Sequence, residues 1–512
     1  VNLDLTSPAD LALALLPELV LTAWSVVLLL LVGWRHRTAS DLRLAAWTTG
    51  LALATTAAAV WWLWWRRAGV EGLASMVAVD DYRFVTDLVF LGAAGVTVLV
   101  SPQYLERERL LVPEFYLLLV FATLGMMLMG GAADLMVLFL GLETMSVGVY
   151  VMAAIDRRSP RAAEAGLKYF LLGAFASGFL LYGIALLYGA TGTTNLTLIG
   201  AQVGMLDLVG NPMLLAGLGL LVVGFAFKVA AVPFHTWAPD VYDGAPTPVT
   251  GFMATAVKAA AFAALFRVLV EALPGVPAAA SAVAGLAVVT MAVGNLVALA
   301  QRSLKRMLAW SSVAHAGYLL VAAAAGGAGG TAAFLTYIVA YSVTTLAAFT
   351  IVAWLGRGGE SDVRIDDLAG LASRHPWIAF ALAVCMLSLL GFPGTVGFIG
   401  KWTVLLAAVE TGRWILAVVL VVTSVISAGF YLPVLMAAYM KPTAHDGAHR
   451  DTRLAGLVRA SVAVAVAAVL ALGVRPQPLL DIARDTAATL RPTAVFTADR
   501  AAAPPAGSTA GR

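Results

Sequence analysis

Cysteine and charge are both scarce in this chain of 512 residues: there is a single Cys, and Asp, Glu, Lys and Arg together make up only 12%. A typical soluble domain is about 25% charged. A disulfide needs two thiols and an iron–sulfur cluster usually needs four thiolates. Cys385, inside an apolar segment, therefore supplies neither and reads as a small packing group. No G-x-G-x-x-G follows a strand-like run, so no nicotinamide or flavin fold is indicated. No His, Cys or Asp cluster has metal-ligand spacing, and no nucleophile–base pair stands out. The alternating ten-residue strands of an outer-membrane barrel are missing as well. Redox chemistry linked to this protein must reside in other chains, and no nucleic-acid partner is expected.

What is abundant is apolar surface. AVILMFWYC residues account for 61% of the chain and mean hydropathy is +0.90, which excludes a water-soluble enzyme. Met307 to Gly356 contains no Asp, Glu, Lys or Arg, and Asp207 and Lys228 bracket another such stretch. Runs of about 18 or more apolar residues read as membrane helices. The chain is therefore expected to be an all-α polytopic membrane protein of about fourteen spans, from Leu11–Val32 to Leu457–Val474. The acids Asp4, Asp10 and Glu18 stand where a signal peptide would be basic, so the first segment reads as a retained helix. After Arg475 the composition turns polar and Pro/Ala-rich, and residues 475–512 are expected to form a disordered tail.

Loops after odd-numbered spans hold 17 Lys and Arg and the others hold 4. The positive-inside rule places the odd loops in the cytoplasm and both termini outside. Two spans carry breakers: the seventh, Met213–Trp237, contains Pro233, and the twelfth, Trp377–Val409, contains Gly391, Pro393, Gly394 and Gly397. Such breaks persist where protein or water satisfies the freed backbone groups. Matching breaks in two halves point to inverted repeats. The expected organisation is N-terminal helices 1–3 over 1–113, one five-helix repeat over 114–273, a second over 274–440, and a loop with helix 14 over 441–474.

Inside these spans sit rare charges. Of six lysines, Lys168, Lys228, Lys258 and Lys401 fall within spans or at their ends, and Glu143 interrupts the fifth. A charge at mid-bilayer costs at least about 2.5–3.5 kcal/mol, so one without a use should be lost. Burial disfavours the charged form of lysine, whereas arginine keeps its proton. Lysine is thus the cation suited to loading and unloading protons. Blander roles compete: Glu143 as a fixed counter-ion, Lys168 snorkelling to the interface, His235 and His315 each satisfying a backbone carbonyl. Arg267 and Glu410, near helix ends, read as interface anchors. Trp61, Trp62, Trp64 and Trp65 read as an aromatic belt.

Segments FLGLETMSVGVYVM, KYFLLGAFASGFLLYGIALLYGATGTTNL, GFAFKVAAVPFHTWAPDVYDGAPTPVTGFMATAVKAAAF, RSLKRMLAWSSVAHAGY and GFPGTVGFIGKW, spread over spans five to twelve, resemble the antiporter-like membrane subunits of proton-pumping NADH–quinone oxidoreductase (respiratory complex I). The resemblance implies a proton-translocating core subunit with no redox centre of its own, coupled to quinone reduction elsewhere. It implies that Glu143 pairs with Lys228, that Lys258 is the central lysine of a hydrophilic axis, and that Lys401 ends the twelfth-span channel. It also associates Lys168, His235 and His315 with proton transfer. A lysine at position 401 separates the chain from subunit M, which has glutamate there, and the absence of a long lateral C-terminal helix separates it from subunit L. The implied partners are subunit M, small membrane subunits such as K, J and A, membrane lipids and, indirectly, a peripheral arm. NADH, FMN, iron–sulfur clusters and quinone belong to those partner subunits. A bacterial cell membrane is the implied location. A cation/proton antiporter subunit of related fold and a non-pumping scaffold are the rival readings.

Overall fold

In lipid every backbone polar group must be satisfied within the protein, which makes helix the default form of a long apolar segment. The computed structural model follows this rule. It describes residues 2–4, 7–34, 38–66, 69–71, 76–356, 363–442 and 456–490. Among the described residues eleven helices are long and apolar enough to cross a membrane. The only strands among them are Asn2–Asp4 and Gly69–Glu71, paired in parallel.

The principal helices are α1 (Leu16–Trp34), α2 (Ala39–Arg66), α3 (Asp81–Arg107), α4 (Glu114–Gly130), α5 (Leu135–Ala153), α6 (Pro160–Thr191), α7 (Pro212–Lys228), α8 (Trp237–Gly244) and α9 (Thr247–Ala272). They continue with α10 (Pro277–Ala298), α11 (Leu304–Ala325), α12 (Gly327–Leu355), α13 (Pro376–Leu390), α14 (Val396–Glu410), α15 (Trp414–Met440), α16 (Gly456–Val474) and α17 (Gln477–Thr489). Each expected span coincides with one of these helices or with a broken pair. Several begin on side-chain caps: Asp134 accepts from Met136 N, Ser159 from Ala162 N and Ser303 from Arg306 N. Such caps are each worth about 1 kcal/mol.

Helices α9 and α11 are buried along nearly their whole length and α12 along most of it, whereas α1 and α16 expose most of theirs. The polar side chains of the centre therefore have to find partners in protein. Close helix crossings rely on small residues, as is common where lipid supplies no hydrophobic drive between helices. At the α4–α5 crossing, a Cβ on Gly125 would stand 2.3 Å from Met145 N, and one on Gly141 would stand 2.7 Å from Met129 N.

Both expected breaks are present. The chain leaves helix after Lys228 and resumes at Trp237, and it leaves again after Leu390 and resumes at Val396. Side chains answer the freed backbone groups. Trp237 Nε1 donates to Phe227 O at 2.9 Å, Val232 N to Thr290 Oγ1 at 3.0 Å, and Gly397 N to Ser388 Oγ at 3.2 Å. Helix α9 contains π-helical turns at Met253–Val257 and Val268–Ala272. The first ends immediately before Lys258 and the second begins immediately after Arg267.

The start of the expected disordered tail is instead ordered. Helix α17 buries Ala483, Thr486 and Ala487, followed by Leu490, and packs on α12 and α3. Spacing i, i+3, i+4, i+7 is the stripe of an amphipathic helix; polar composition masked it, because Asp481, Arg484 and Asp485 occupy the opposite face. Residues 491–512 of that expected tail lie outside the described residues.

Gly125→Val is expected to destabilise the α4–α5 crossing by about 1–3 kcal/mol or more through overpacking. Gly178→Ala, where an added Cβ meets nothing within 4 Å, is expected to be neutral. Thermal stability of the purified protein and native electrophoresis of its assembly check the pair.

Candidate functional site

The buried lysines share one form of environment. Lys228, the last residue of α7, is 2% exposed. Its Nζ donates to Ser146 Oγ at 2.7 Å and Tyr150 OH at 3.0 Å, both on α5, beneath the rings of Tyr150 and Tyr169. Glu143, one turn before Ser146, instead accepts a short hydrogen bond from Ser177 Oγ of α6. The expected Glu143–Lys228 pair is therefore not a direct contact. Hydroxyl groups fill the coordination of each partner and hold the two charges on one face of α5.

Lys258, on α9, is 1% exposed. Its Nζ donates to Ser312 O at 2.6 Å and Ser312 Oγ at 2.5 Å, and Tyr341 OH donates to the same Oγ at 2.8 Å. The neighbouring residue on α11, Ser311, makes a short hydrogen bond with Tyr431 OH. Tyr431 OH lies 3.0 Å from Nε2 of His315, whose Nδ1 lies 2.6 Å from Tyr337 OH. A neutral imidazole offers one donor and one acceptor, so His315 joins two hydroxyls of complementary sense.

Lys401 completes the series on α14. Its Nζ donates to Leu390 O at 2.9 Å, a carbonyl freed by the helix break, and stands 4.8 Å from the ring of Tyr318. Gly391 takes φ +89°, and a Cβ there would press on Lys401 Cδ at 2.9 Å. Glycine thus serves both the turn and the space the lysine occupies. The Tyr318 ring meets the His315 ring edge-on at 5.5 Å. Lys258, Ser312, Ser311, Tyr431, His315, Tyr318 and Lys401 thereby form one polar and aromatic run through the interior.

The other expected residues lie apart from this run. Lys168 has a side chain 40% exposed and is held by Glu164 at 2.7 Å and Asp240 at 2.8 Å; Asp240 also receives Arg306 at 3.1 Å. His235, in the break between α7 and α8, is partly buried and meets Trp310 edge-on at 5.3 Å. Arg267 is not an interface anchor. It is 1% exposed and makes bonds of 2.8 and 2.9 Å to Asp80 and of 2.8 Å to Glu271. Asp80 lies 187 residues away in sequence, which hides this pairing from local inspection. The hydroxyl partners Ser146, Tyr150, Ser311, Ser312, Tyr337 and Tyr431 carried no sequence signal of their own, since Ser and Tyr in apolar helices commonly bond their own backbone or pack. Cys385 is buried and unpaired.

With this geometry established, likeness to known proteins is informative. Residues 132–427 match the family described as NADH:quinone oxidoreductase/Mrp antiporter, transmembrane. The chain is 42% identical over 507 residues to NADH-quinone oxidoreductase subunit N of Gemmatimonas aurantiaca, covering 96% of each. It is 48% identical over 374 residues to the subunit N of Trichlorobacter lovleyi, covering 73% of this chain and 77% of that one. A chain of respiratory complex I from Thermus thermophilus with bound aureothin superposes with TM-score 0.76 at 36% identity, covering 91% of this chain and 99% of that one. A chain of the Mrp complex from a Dietzia species gives TM-score 0.80 at 24% identity, over 94% and 98%, a likeness of fold. A central polar run built on lysines, two broken helices and similarity along nearly the full length together show that the chain belongs to the NADH:quinone oxidoreductase/Mrp antiporter membrane family, among the subunits N of NADH–quinone oxidoreductase.

Proposed function

We propose that this subunit carries protons across a bacterial cell membrane along the interior run, with Glu143, Lys168, Lys228, His235, Lys258, His315 and Lys401 as its proton-handling residues. The observation that carries this reading is the Lys258–Ser312 contact and the hydroxyl–imidazole series that continues from it. Hydroxyls and carbonyls can hydrogen-bond an ammonium or a neutral amine, so the site tolerates both protonation states. Water completes the gaps between Ser312 and Ser311 and between His315 and Lys401, as it commonly does among buried polar groups.

In this reading Lys168, Asp240 and Arg306 form the cytoplasmic mouth, in agreement with the excess of Lys and Arg on that side, and both termini face outward. Residues 114–273 and 274–440 act as two inverted units, each with one broken helix that places a lysine near a helix end. Quinone reduction in partner subunits changes the charge near Glu143 and Lys228. The change passes through Lys258 to Lys401. Moving one charge against 100 mV costs about 2.3 kcal/mol, and a shift of about two pKa units in one amine supplies about 2.7 kcal/mol. Subunit M and the small subunits K, J and A are the proposed membrane neighbours, and the cofactors of NADH oxidation belong to the peripheral subunits.

A relay through Lys258 requires the amine to become neutral during turnover. Lys258→Arg, which keeps the charge but resists deprotonation, is expected to assemble and to lose about tenfold or more in pumping, equivalent to ~1.4 kcal/mol. Lys441 pairs with Asp366 at 2.7 Å on the surface and holds that carboxyl below the usual range by hydrogen bond and charge. Exposed pairs contribute little, so Lys441→Arg is the silent control. NADH-driven proton uptake into inverted vesicles, with assembly checked by native electrophoresis, measures both; full pumping by assembled Lys258→Arg would remove the deprotonation step.

Glu143→Ala and Lys228→Ala are each expected to depress coupled quinone reductase activity severalfold, because either leaves the other charge unbalanced in an apolar site. Glu143→Asp retains more. Normal pumping by both alanine variants would show that Glu143 and Lys228 are not a functional element.

A further inference from the structure

Helix α9 joins two charged clusters. Its N-terminal end adjoins Lys305, which donates to Asp243 O and Ala245 O beside Arg306 and Asp240. Its C-terminal end carries Arg267 and Glu271. At about 1.5 Å per residue, Lys258 stands roughly midway along it. Among the described residues the C-terminal cluster has an excess of acid: Glu18 from α1, Asp80 and Asp87 at and within the start of α3, and Glu271 from α9 gather around Arg83 and Arg267.

The bonds within it are unequal. Glu18 takes both of its oxygens to Arg83 Nη2, at 2.6 and 2.7 Å. Asp80 takes both of its oxygens to Arg267 and also accepts from Arg83 N at 2.8 Å. Glu271 takes one oxygen to Arg267 at 2.8 Å. Asp81, next in the chain, accepts from Trp64 Nε1 at 2.6 Å. Asp87 is 0% exposed, and neither of its oxygens has a hydrogen-bond partner. Arg83 Nε is likewise buried without a hydrogen-bond partner and lies 3.7 Å from Asp87 Oδ2. An acceptor and a donor face each other without closing, in a site where an unneutralised carboxylate would be strongly disfavoured.

We infer that Asp87 is a proton-binding site at the outer end of this subunit, occupied at rest and emptied to the outer face during turnover. The inference rests on the proton-translocation reading above. With a proton on one carboxyl oxygen, Asp87 is neutral and Arg83 is committed to Glu18 and to Ala78 O. When the proton leaves for water, the carboxylate accepts a hydrogen bond from Arg83 Nε, which then closes on Oδ2. One proton arrives from the interior and one departs, with no change of oxidation state. The way out is graded, from fully buried Asp87 past Glu18 to Asp80 and Glu271, whose side chains are 18% and 12% exposed.

Asp87→Asn keeps the size of the side chain and a neutral group but cannot exchange a proton. In the assembled NADH–quinone oxidoreductase it is expected to cut protons pumped per NADH severalfold, and Asp87→Glu, which keeps an exchangeable carboxyl, is expected to recover part of the loss. Assembled Asp87→Asn pumping like the parent, beside an impaired Lys258→Arg, would overturn the Asp87 site and leave the cluster a static clamp. Normal pumping by both would instead sink the translocation reading. Should Asp87→Asn fail to assemble, infrared difference spectra of the parent complex with isotope-labelled aspartate decide. A protonated-aspartate band at neutral pH that bleaches under turnover supports the site, and absence of any such band overturns it.

Discussion

A lysine amine taken out of water must hydrogen-bond to something, and in this protein what it bonds to sets the buried lysines apart from the buried arginines. Lys228, Lys258 and Lys401 are buried against hydroxyls, backbone carbonyls and aromatic faces. Arg83 and Arg267 are buried against carboxylates. A buried carboxylate strongly favours the cation, whereas a hydroxyl or carbonyl hydrogen-bonds the charged and the neutral amine without adding a counter-charge. The two arginine clamps fasten α1, α3 and α9 together, while Lys228, Lys258 and Lys401 hydrogen-bond hydroxyls and carbonyls within that frame.

The helix breaks serve the same division. Ending α7 at Lys228 and α13 at Leu390 leaves carbonyls without helical partners, and a helix C-terminus favours a cation. At the second break Lys401 itself caps the freed carbonyl. At the first, Trp237 and Thr290 satisfy the backbone, so that Lys228 can turn to Ser146 and Tyr150. Irregular backbone at membrane depth is thereby supported by the groups it serves to position.

Much of this architecture was legible in the sequence, because lipid leaves a chain few choices. Hydropathy placed helix where the structure has it, eleven of the described helices being long and apolar enough to cross a membrane, and Pro233, Gly391 and Pro393 marked both breaks. The rarity of lysine drew attention to Lys228, Lys258 and Lys401. What escaped was long-range or chemically quiet. Arg267 looks like an anchor until Asp80 is seen beside it. Ser312 and Tyr431 look like ordinary packing residues until α9, α11 and α15 converge. The hydroxyls beside the Glu143–Lys228 pair were equally quiet: Lys228 donates to Ser146, and Glu143 accepts from Ser177. Helix α17 was hidden because composition, rather than the spacing of Ala483, Thr486, Ala487 and Leu490, governed how that segment was read.

The central claim is that protons pass between the lysines through uncharged side chains, and the sharpest test alters such a side chain and no charge. Tyr431 OH links Ser311 to His315, and Tyr431→Phe removes that oxygen while preserving the ring. The measurement is protons translocated per NADH oxidised by the assembled complex in inverted vesicles. The account predicts intact assembly with a severalfold lower ratio. An undiminished ratio would contradict it and confine the lysines to an electrostatic role.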